Sequence, residues 1–114
     1  MTNDELNTLL YHKILKEQEQ FKEKLRNSSA REVMQNAYEL VIREDILLHL
    51  EENDLSDRQA RALLKSEHPL SDLFNAWESR ESRHMEEIGD TVEDHANKLI
   101  SEARAKARAN RNAR

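Results

Sequence analysis

The sequence predicts an all-α fold, a small bundle of four main helices. The chain of 114 residues contains one glycine and one proline, whereas sheets need turns that these two residues usually supply. Apolar residues recur at spacings of three and four along most of the chain, as they do on one face of an α-helix. Charged residues make up 36% of the chain. That fraction is polar for a globular protein but leaves enough apolar surface for one modest core.

Three sequence motifs indicate where helices begin. In a capping box, a Ser or Thr and a Glu or Gln three residues later each satisfy a free backbone N–H of the first turn. Each box here precedes an apolar periodic stretch, and the pairs are Thr2 with Glu5, Ser29 with Glu32, and Ser56 with Gln59. Pro69 suits the first turn of a further helix, where its missing N–H costs nothing.

The first two helices are expected over about residues 3–26 and 30–52. The first has an apolar stripe that begins with Leu6 and Leu10. The apolar residues of the second cover most of its circumference, so this helix is expected to be the centre of the core. Asn53 can end it, because Asn tolerates a left-handed cap conformation.

A helical hairpin is predicted at residues 55–80. Its first helix is short, over about residues 57–65, and its second begins near Pro69. The second helix is expected to bury its large apolar side chains in the core, which are Leu70, Leu73, Phe74 and Trp77.

The C-terminal part is predicted as a long helix with two alternatives. Met85, Ile88, Val92, Ala96, Leu99 and Ala103 form an apolar stripe. Gly89 lies inside it and costs about 1 kcal/mol relative to Ala in a helix interior, so the helix is either continuous or broken near this residue. The predicted organisation is a single helical domain over 1–97 and a basic, partly frayed helical tail over 98–114.

Charge is distributed unevenly along the chain. Residues 1–97 carry 12 Lys and Arg against 22 Asp and Glu, whereas residues 98–114 carry six against one. The body is therefore acidic and the tail basic. Cysteine is absent, the N-terminus has no apolar signal core, and no apolar run approaches the length of a membrane span. These features favour a soluble, cytoplasmic protein that does not contact membranes.

Catalytic and metal-binding signatures are weak. The sequence has no Cys nucleophile, no Gly-rich phosphate loop and no H-E-x-x-H. One Glu-x-x-His spacing, Glu81 with His84, is more often solvated surface than a metal site. Arg43, Glu44 and Asp45 interrupt the most apolar helix. We interpret these three residues as the solvent-exposed face of that helix, or Arg43 as the i,i+4 partner of Glu39. We therefore predict no enzymatic activity, no catalytic residue, no cofactor and no metal.

DNA reading by the hairpin is the alternative to a protein-interaction role. Helix-turn-helix units share its outline, but DNA binding depends on neutralising phosphates. Residues 69–83 contain two arginines against three acidic residues, and the acidic body surrounds them. A helix-turn-helix regulator using residues 55–80 and the basic tail thus remains the second hypothesis, and nucleic acid is disfavoured as a partner.

The stripe of the C-terminal helix favours protein-partner binding. An apolar stripe beyond the main bundle must be covered by the bundle, by a second copy in a homodimer, or by another protein. The acidic body could also imitate nucleic acid and occupy a basic groove. The predicted partner-binding residues are Met85, Ile88, Val92, Leu99, Arg104, Arg108 and Arg111.

Four strings carry a family resemblance: "REDIL", "LEENDLS", "QARALLKS" and "HPL". With their surroundings, over about residues 5–97, they resemble an uncharacterised bacterial family, the domain of unknown function 3848 (DUF3848). The resemblance implies no activity, cofactor or catalytic residue. It implies a bacterial, cytoplasmic setting in or near mobile genetic elements of gut Firmicutes, and hence an accessory role such as inhibition of host defence.

Overall fold

The computed structural model describes residues 1–113, apart from the side chains of Glu81 and Ser82. Over this range the chain is all-α, as predicted. It forms six helices and no strand within the described residues. The helices are α1 (Asn3–Arg26), α2 (Ala30–Gln35), α3 (Ala37–Glu52), α4 (Asp57–Leu64), α5 (Pro69–Glu78) and α6 (Glu81–Asn112). No helix in this range is long and apolar enough to span a membrane.

The predicted helix starts are confirmed. Thr2, Ser29 and Ser56 are N-caps, and each side-chain oxygen accepts the backbone N–H three residues later. At Ser56 the box is complete, because its own N–H donates to Gln59 Oε1 at 3.0 Å. These bonds satisfy N–H groups that a helix leaves free in its first turn.

The second predicted helix is divided at Asn36, which separates α2 from α3. Its backbone (φ −101°, ψ 4°) departs from helical values, and its Nδ2 donates to the Glu32 carbonyl at 2.8 Å. Asn side chains compete for helix carbonyls in this way and favour helix ends over interiors. Asn53 does end α3, but in an extended conformation (φ −135°, ψ 120°). The left-handed cap predicted there was wrong.

The chain divides into two units, Met1–Glu78 and Ser79–Arg114. The predicted boundary between residues 97 and 98 lies inside α6. In the second unit, α6 runs without interruption through Gly89, so of the two predicted alternatives the structure has the continuous helix. A Cβ at Gly89 would meet no other atom within 4 Å, which shows that close packing is not the reason for a glycine there.

In the first unit, α1 is the centre of the core, and the prediction that the second helix would be the centre was wrong. α1 contacts α3, α4 and α5, and its Leu6, Leu10 and Ile14 are at most 2% exposed. α3, by contrast, buries Arg43 and Leu47. Its other apolar side chains are partly or largely exposed, because α3 contacts α1, α2 and α5, whereas α1 contacts all four other helices of the unit.

The hairpin of α4 and α5 packs against α1. Ala60 of α4 and Leu70 of α5 are fully buried there, and Phe74 is 7% exposed. Trp77 differs from the prediction, because its side chain is 45% exposed and its Nε1 donates to the Tyr38 hydroxyl at 2.9 Å. It lies at the edge where α5 faces α3. The prediction that Trp77 is a core residue was therefore wrong.

Candidate partner-binding surface

The apolar stripe of α6 is exposed to solvent. Its large side chains are 43–63% exposed at Met85, Ile88, Val92 and Leu99. Together with Ala96, Ala103 and Ala107 they recur at spacings of three, four and four residues, so they follow one face of the helix. Ile100, which borders this stripe, is 51% exposed.

The three predicted arginines lie at different angular positions around the helix, measured from the apolar stripe. At about 100° per residue, Arg104 and Arg111 follow one flank of the stripe, and Arg108 lies farther towards the opposite face. Glu86 and Glu93 occupy that same flank in the N-terminal half of α6. One border of the apolar stripe is therefore acidic in its first half and basic in its second.

The first unit exposes a second apolar area on α3. Tyr38, Val41 and Leu48 lie along its outer face and are 42%, 56% and 53% exposed. Sequence reasoning missed this surface, because it assigned these residues to the core. The missing information is the number of helices that surround α3, which the apolar pattern of a helix alone does not contain.

A buried polar cluster lies inside the first unit, centred on Arg43. Its guanidinium donates to Glu39 Oε2 and to Ser71 Oγ, both at 2.9 Å, and its Nη1 lies 3.9 Å from Glu17 Oε2. The Phe21 ring covers the guanidinium at 4.1 Å from the ring centroid, a cation–π arrangement. The predicted i,i+4 pair with Glu39 is confirmed. The prediction that Arg43 lies on a solvent-exposed face is wrong, since its side chain is 7% exposed.

Two side chains of α1 hold the ends of the hairpin helices. Lys13 Nζ donates to the carbonyls of Leu64 and Ser66 at the end of α4. Glu17, one turn later, accepts the backbone N–H groups of Leu70 and Ser71 at 2.9 and 2.8 Å. A cation near the C-terminus of a helix and an anion near the N-terminus of a helix both interact favourably with the helix dipole. This geometry makes the hairpin a structural element anchored to α1.

A third polar group joins α1 to α3 near the surface. Lys22 Nζ lies 2.6 Å from Glu44 Oε1, and the buried Gln18 donates to the same oxygen at 3.1 Å. The hydrogen bond with Lys22 lowers the pKa of Glu44, and the bond with Glu44 raises the pKa of Lys22. Gln18 Oε1 is buried, and no donor among the described residues reaches it.

The pKa shifts of Lys22 and Glu44 predict that this ion pair adds a small amount to the stability of the fold, and only within a limited pH range. The lowered pKa of Glu44 stabilises the fold above about pH 4.5, and this is lost as the pH falls through the folded-state pKa. The raised pKa of Lys22 stabilises it below about pH 10.5, and this is lost as the pH rises through its folded-state pKa. Since the Glu44 side chain is 44% exposed, we expect Glu44→Gln to lower the unfolding free energy by less than about 1 kcal/mol at pH 7.

Urea unfolding at pH 7 and pH 3 would measure this effect. The difference between the parent and Glu44→Gln should shrink at the lower pH and in 1 M salt, because protonation and screening both remove the attraction. The exposed Asp45→Asn is the matched control. An equal pH-dependent difference in the control would contradict the assignment to Lys22.

Two further features of the described residues are the placement of possible metal ligands and one surface depression. The described residues contain no group of three or more His, Asp or Glu side chains placed to hold a metal ion. The predicted spacing of Glu81 with His84 involves a side chain outside the described residues. One depression of about 390 Å³ lies between α1 and the end of α3. Its lining includes Asp4, Tyr11, Glu51 and Asp54, and an acidic lining alone defines no chemistry.

Fold and surfaces together define a class: a small all-α protein with an anchored helical hairpin and a long amphipathic helix. The chain belongs to a family described as protein of unknown function (DUF3848), whose model matches residues 6–100. That match covers α1 from residue 6 onward, α2 to α5 and the first part of α6, including all four apolar partner-binding residues. Neither a curated protein nor a solved structure matches the chain.

Proposed function

We propose that the protein is a non-enzymatic interaction module that binds a protein partner through the apolar stripe of α6. The observation that carries this proposal is the exposure of the large apolar side chains from Met85 to Leu99, along one face of a 32-residue helix. An amphipathic helix gains stability when such a stripe is taken out of water by another protein surface.

The biological setting that we propose follows from the family resemblance and from charge. The protein would be a bacterial, cytoplasmic accessory factor of a mobile element, acting against host defence by imitating nucleic acid. Residues 1–78 carry 16 acidic and ten basic side chains, which supports binding to a basic groove.

DNA reading by α4 and α5 is the weaker candidate. α5 contains no Lys or Arg, and its exposed side chains include Asp72 and Glu78. Leu70 and Phe74 face the core and cannot contact base edges. A DNA-binding regulator should bind duplex DNA with an affinity that falls steeply with salt. We expect no such binding from the full chain at physiological salt.

Partner capture with a stripe variant tests the proposal. We expect the full chain carrying Ile88→Gln, Val92→Gln and Leu99→Gln to lose at least about tenfold in affinity for any captured partner, since the apolar contacts of a binding helix are removed. The proteins would be compared by capture from the native host and then by titration with the identified partner.

The matched control carries three substitutions on the opposite face of α6: Glu87→Gln, Asp94→Asn and Ser101→Gln. It should bind like the parent, and circular dichroism should show equal helix content for all three proteins. Equal affinity of the stripe variant and the parent for the partner would overturn the proposed function.

A further inference from the structure

We propose that the partner of α6 is a second copy of α6, packed antiparallel in a homodimer whose two-fold axis passes between residues 97 and 98. This inference rests on the proposed function, in which the stripe is a protein-binding surface, and it names the occupant of that surface. Two independent features carry it: the order of large and small residues in the stripe, and the order of charges beside it.

The stripe is complementary to itself when the second helix is reversed. Counted from the junction of residues 97 and 98, three of the four large residues of the stripe meet an alanine of the other helix at the same level, and Met85 meets Asn110. Ile88 meets Ala107, Val92 meets Ala103, and Leu99 meets Ala96. Large side chains opposite small ones allow two helices to interdigitate without voids or overpacking. A parallel pair would place Val92 against Val92 and Ala103 against Ala103.

The total charge of α6 reverses sign at the same junction. Within α6, residues 81–97 contain six acidic residues and one arginine, a net charge of −5, whereas residues 98–112 contain five basic residues and one glutamate, a net charge of +4. An antiparallel pair therefore brings each acidic half against a basic half. A parallel pair would align like charges along the whole contact, which opposes association.

Individual charges on one flank follow the same symmetry. In an antiparallel pair, the flank that carries Glu86, Glu93, Arg104 and Arg111 faces the same flank of the second copy. Glu93 then lies near Arg104 of the second copy, and Glu86 near Arg111 of the second copy. The two members of each pair are at least 11 residues apart in one chain, or about 16 Å along the helix, so they cannot pair within the same helix.

The helix dipole explains part of this charge pattern but not all of it. Acidic residues near an N-terminus and basic residues near a C-terminus stabilise a single helix, yet that effect is confined to the first and last turns. It also gives no reason for the alternation of large and small residues about the same centre. The spacing of three, four and four residues repeats every 11 residues, which predicts a right-handed supercoil of the two helices. The stretch of paired large and small residues, from position 88 to position 107, extends over about 29 Å along the helix axis.

Disulfide cross-linking in the full chain tests the orientation, since the parent contains no cysteine. Two proteins, Val92→Cys and Ala103→Cys, would be prepared with tags of different mass, mixed and oxidised. We expect the mixed dimer in excess over both self-linked dimers. In the antiparallel pair, position 92 of one copy is about 16 Å from position 92 of the other, far beyond the reach of a disulfide.

The matched control uses Asp94→Cys and Ser101→Cys, which lie at equal distances from the junction but on the outer face of α6. This mixture should give little cross-linked product. Self-linked dimers of the Val92→Cys and Ala103→Cys proteins, formed without the mixed dimer, would overturn the antiparallel arrangement, as would equal cross-linking of the outer-face control.

Charge reversal with sedimentation equilibrium tests the pairing itself. Glu93→Arg or Arg104→Glu alone creates two like-charge contacts and should weaken the dimer about tenfold. The double variant restores both contacts with exchanged signs, so its dissociation constant should return to within about threefold of the parent. Failure of the double variant to recover would contradict the inferred contact.

The parent must also be a dimer for the inference to hold. A parent chain that sediments as a monomer at about 100 μM, a weak-affinity concentration, would overturn self-pairing. The proposed function would then be judged separately, by whether the stripe variant loses a captured partner. A monomeric parent whose stripe variant loses that partner would leave the proposed function standing, and one whose stripe variant keeps the partner would overturn both proposals.

Discussion

Arg43→Ala is expected to lower the free energy of unfolding of the first unit by about 3–5 kcal/mol. The guanidinium is buried and bonded to Glu39 and Ser71, so its removal leaves a carboxylate without its cation. It also removes the positive charge that faces Glu17 at 3.9 Å. A loss of this size is a large fraction of the stability of a small domain.

Trp77 fluorescence during urea unfolding would measure the change, because this single tryptophan lies in α5 and reports on the first unit. The control is Arg58→Ala, which removes an exposed arginine of α4 and should change stability by less than about 0.5 kcal/mol. The double variant Arg43→Ala with Glu39→Ala should lose less than the sum of the single losses. Equal effects of Arg43→Ala and Arg58→Ala would contradict the buried cluster.

Ile14→Ala is expected to destabilise the first unit by about 2–5 kcal/mol, because it leaves a cavity at the centre of the core. Ile14 is 0% exposed and lies among residues of α1, α3, α4 and α5. Val41→Ala is the matched control on α3, where the side chain is 56% exposed. It should cost less than about 0.5 kcal/mol.

The same fluorescence experiment compares these two variants. The result decides whether α1 or α3 is the energetic centre of the bundle. A larger loss at Val41 than at Ile14 would contradict the assignment of α1, and would restore the interpretation of the apolar α3 as the centre.

Local signals predicted the helices well. The caps at Thr2, Ser29 and Ser56 were readable because each bond joins groups three residues apart. The start of α5 at Pro69 was readable for the same local reason. The break at Asn36 was also local, but a single Asn inside an apolar helix is common enough that its side-chain bond to Glu32 could not be singled out.

The polar contacts between helices could not be predicted, although two signals existed. The polar segment "ILKEQEQF" in α1 contains Glu17 and Gln18, and "REDIL" in α3 contains Arg43 and Glu44. Each interrupts an apolar pattern. That they meet depends on how α1 and α3 pack, since Gln18 and Glu44 are 26 residues apart.

The all-α class, the helix starts and the stripe of α6 followed from the sequence alone, because helix periodicity and capping act over three or four residues. Tertiary structure decided which helix is central, that Arg43 is buried, that Trp77 is half-exposed, and that Glu17 holds the start of α5. These features depend on contacts between residues far apart in the chain. Burial is a property of neighbours, and a helix that is apolar on every side does not specify how many neighbours it has.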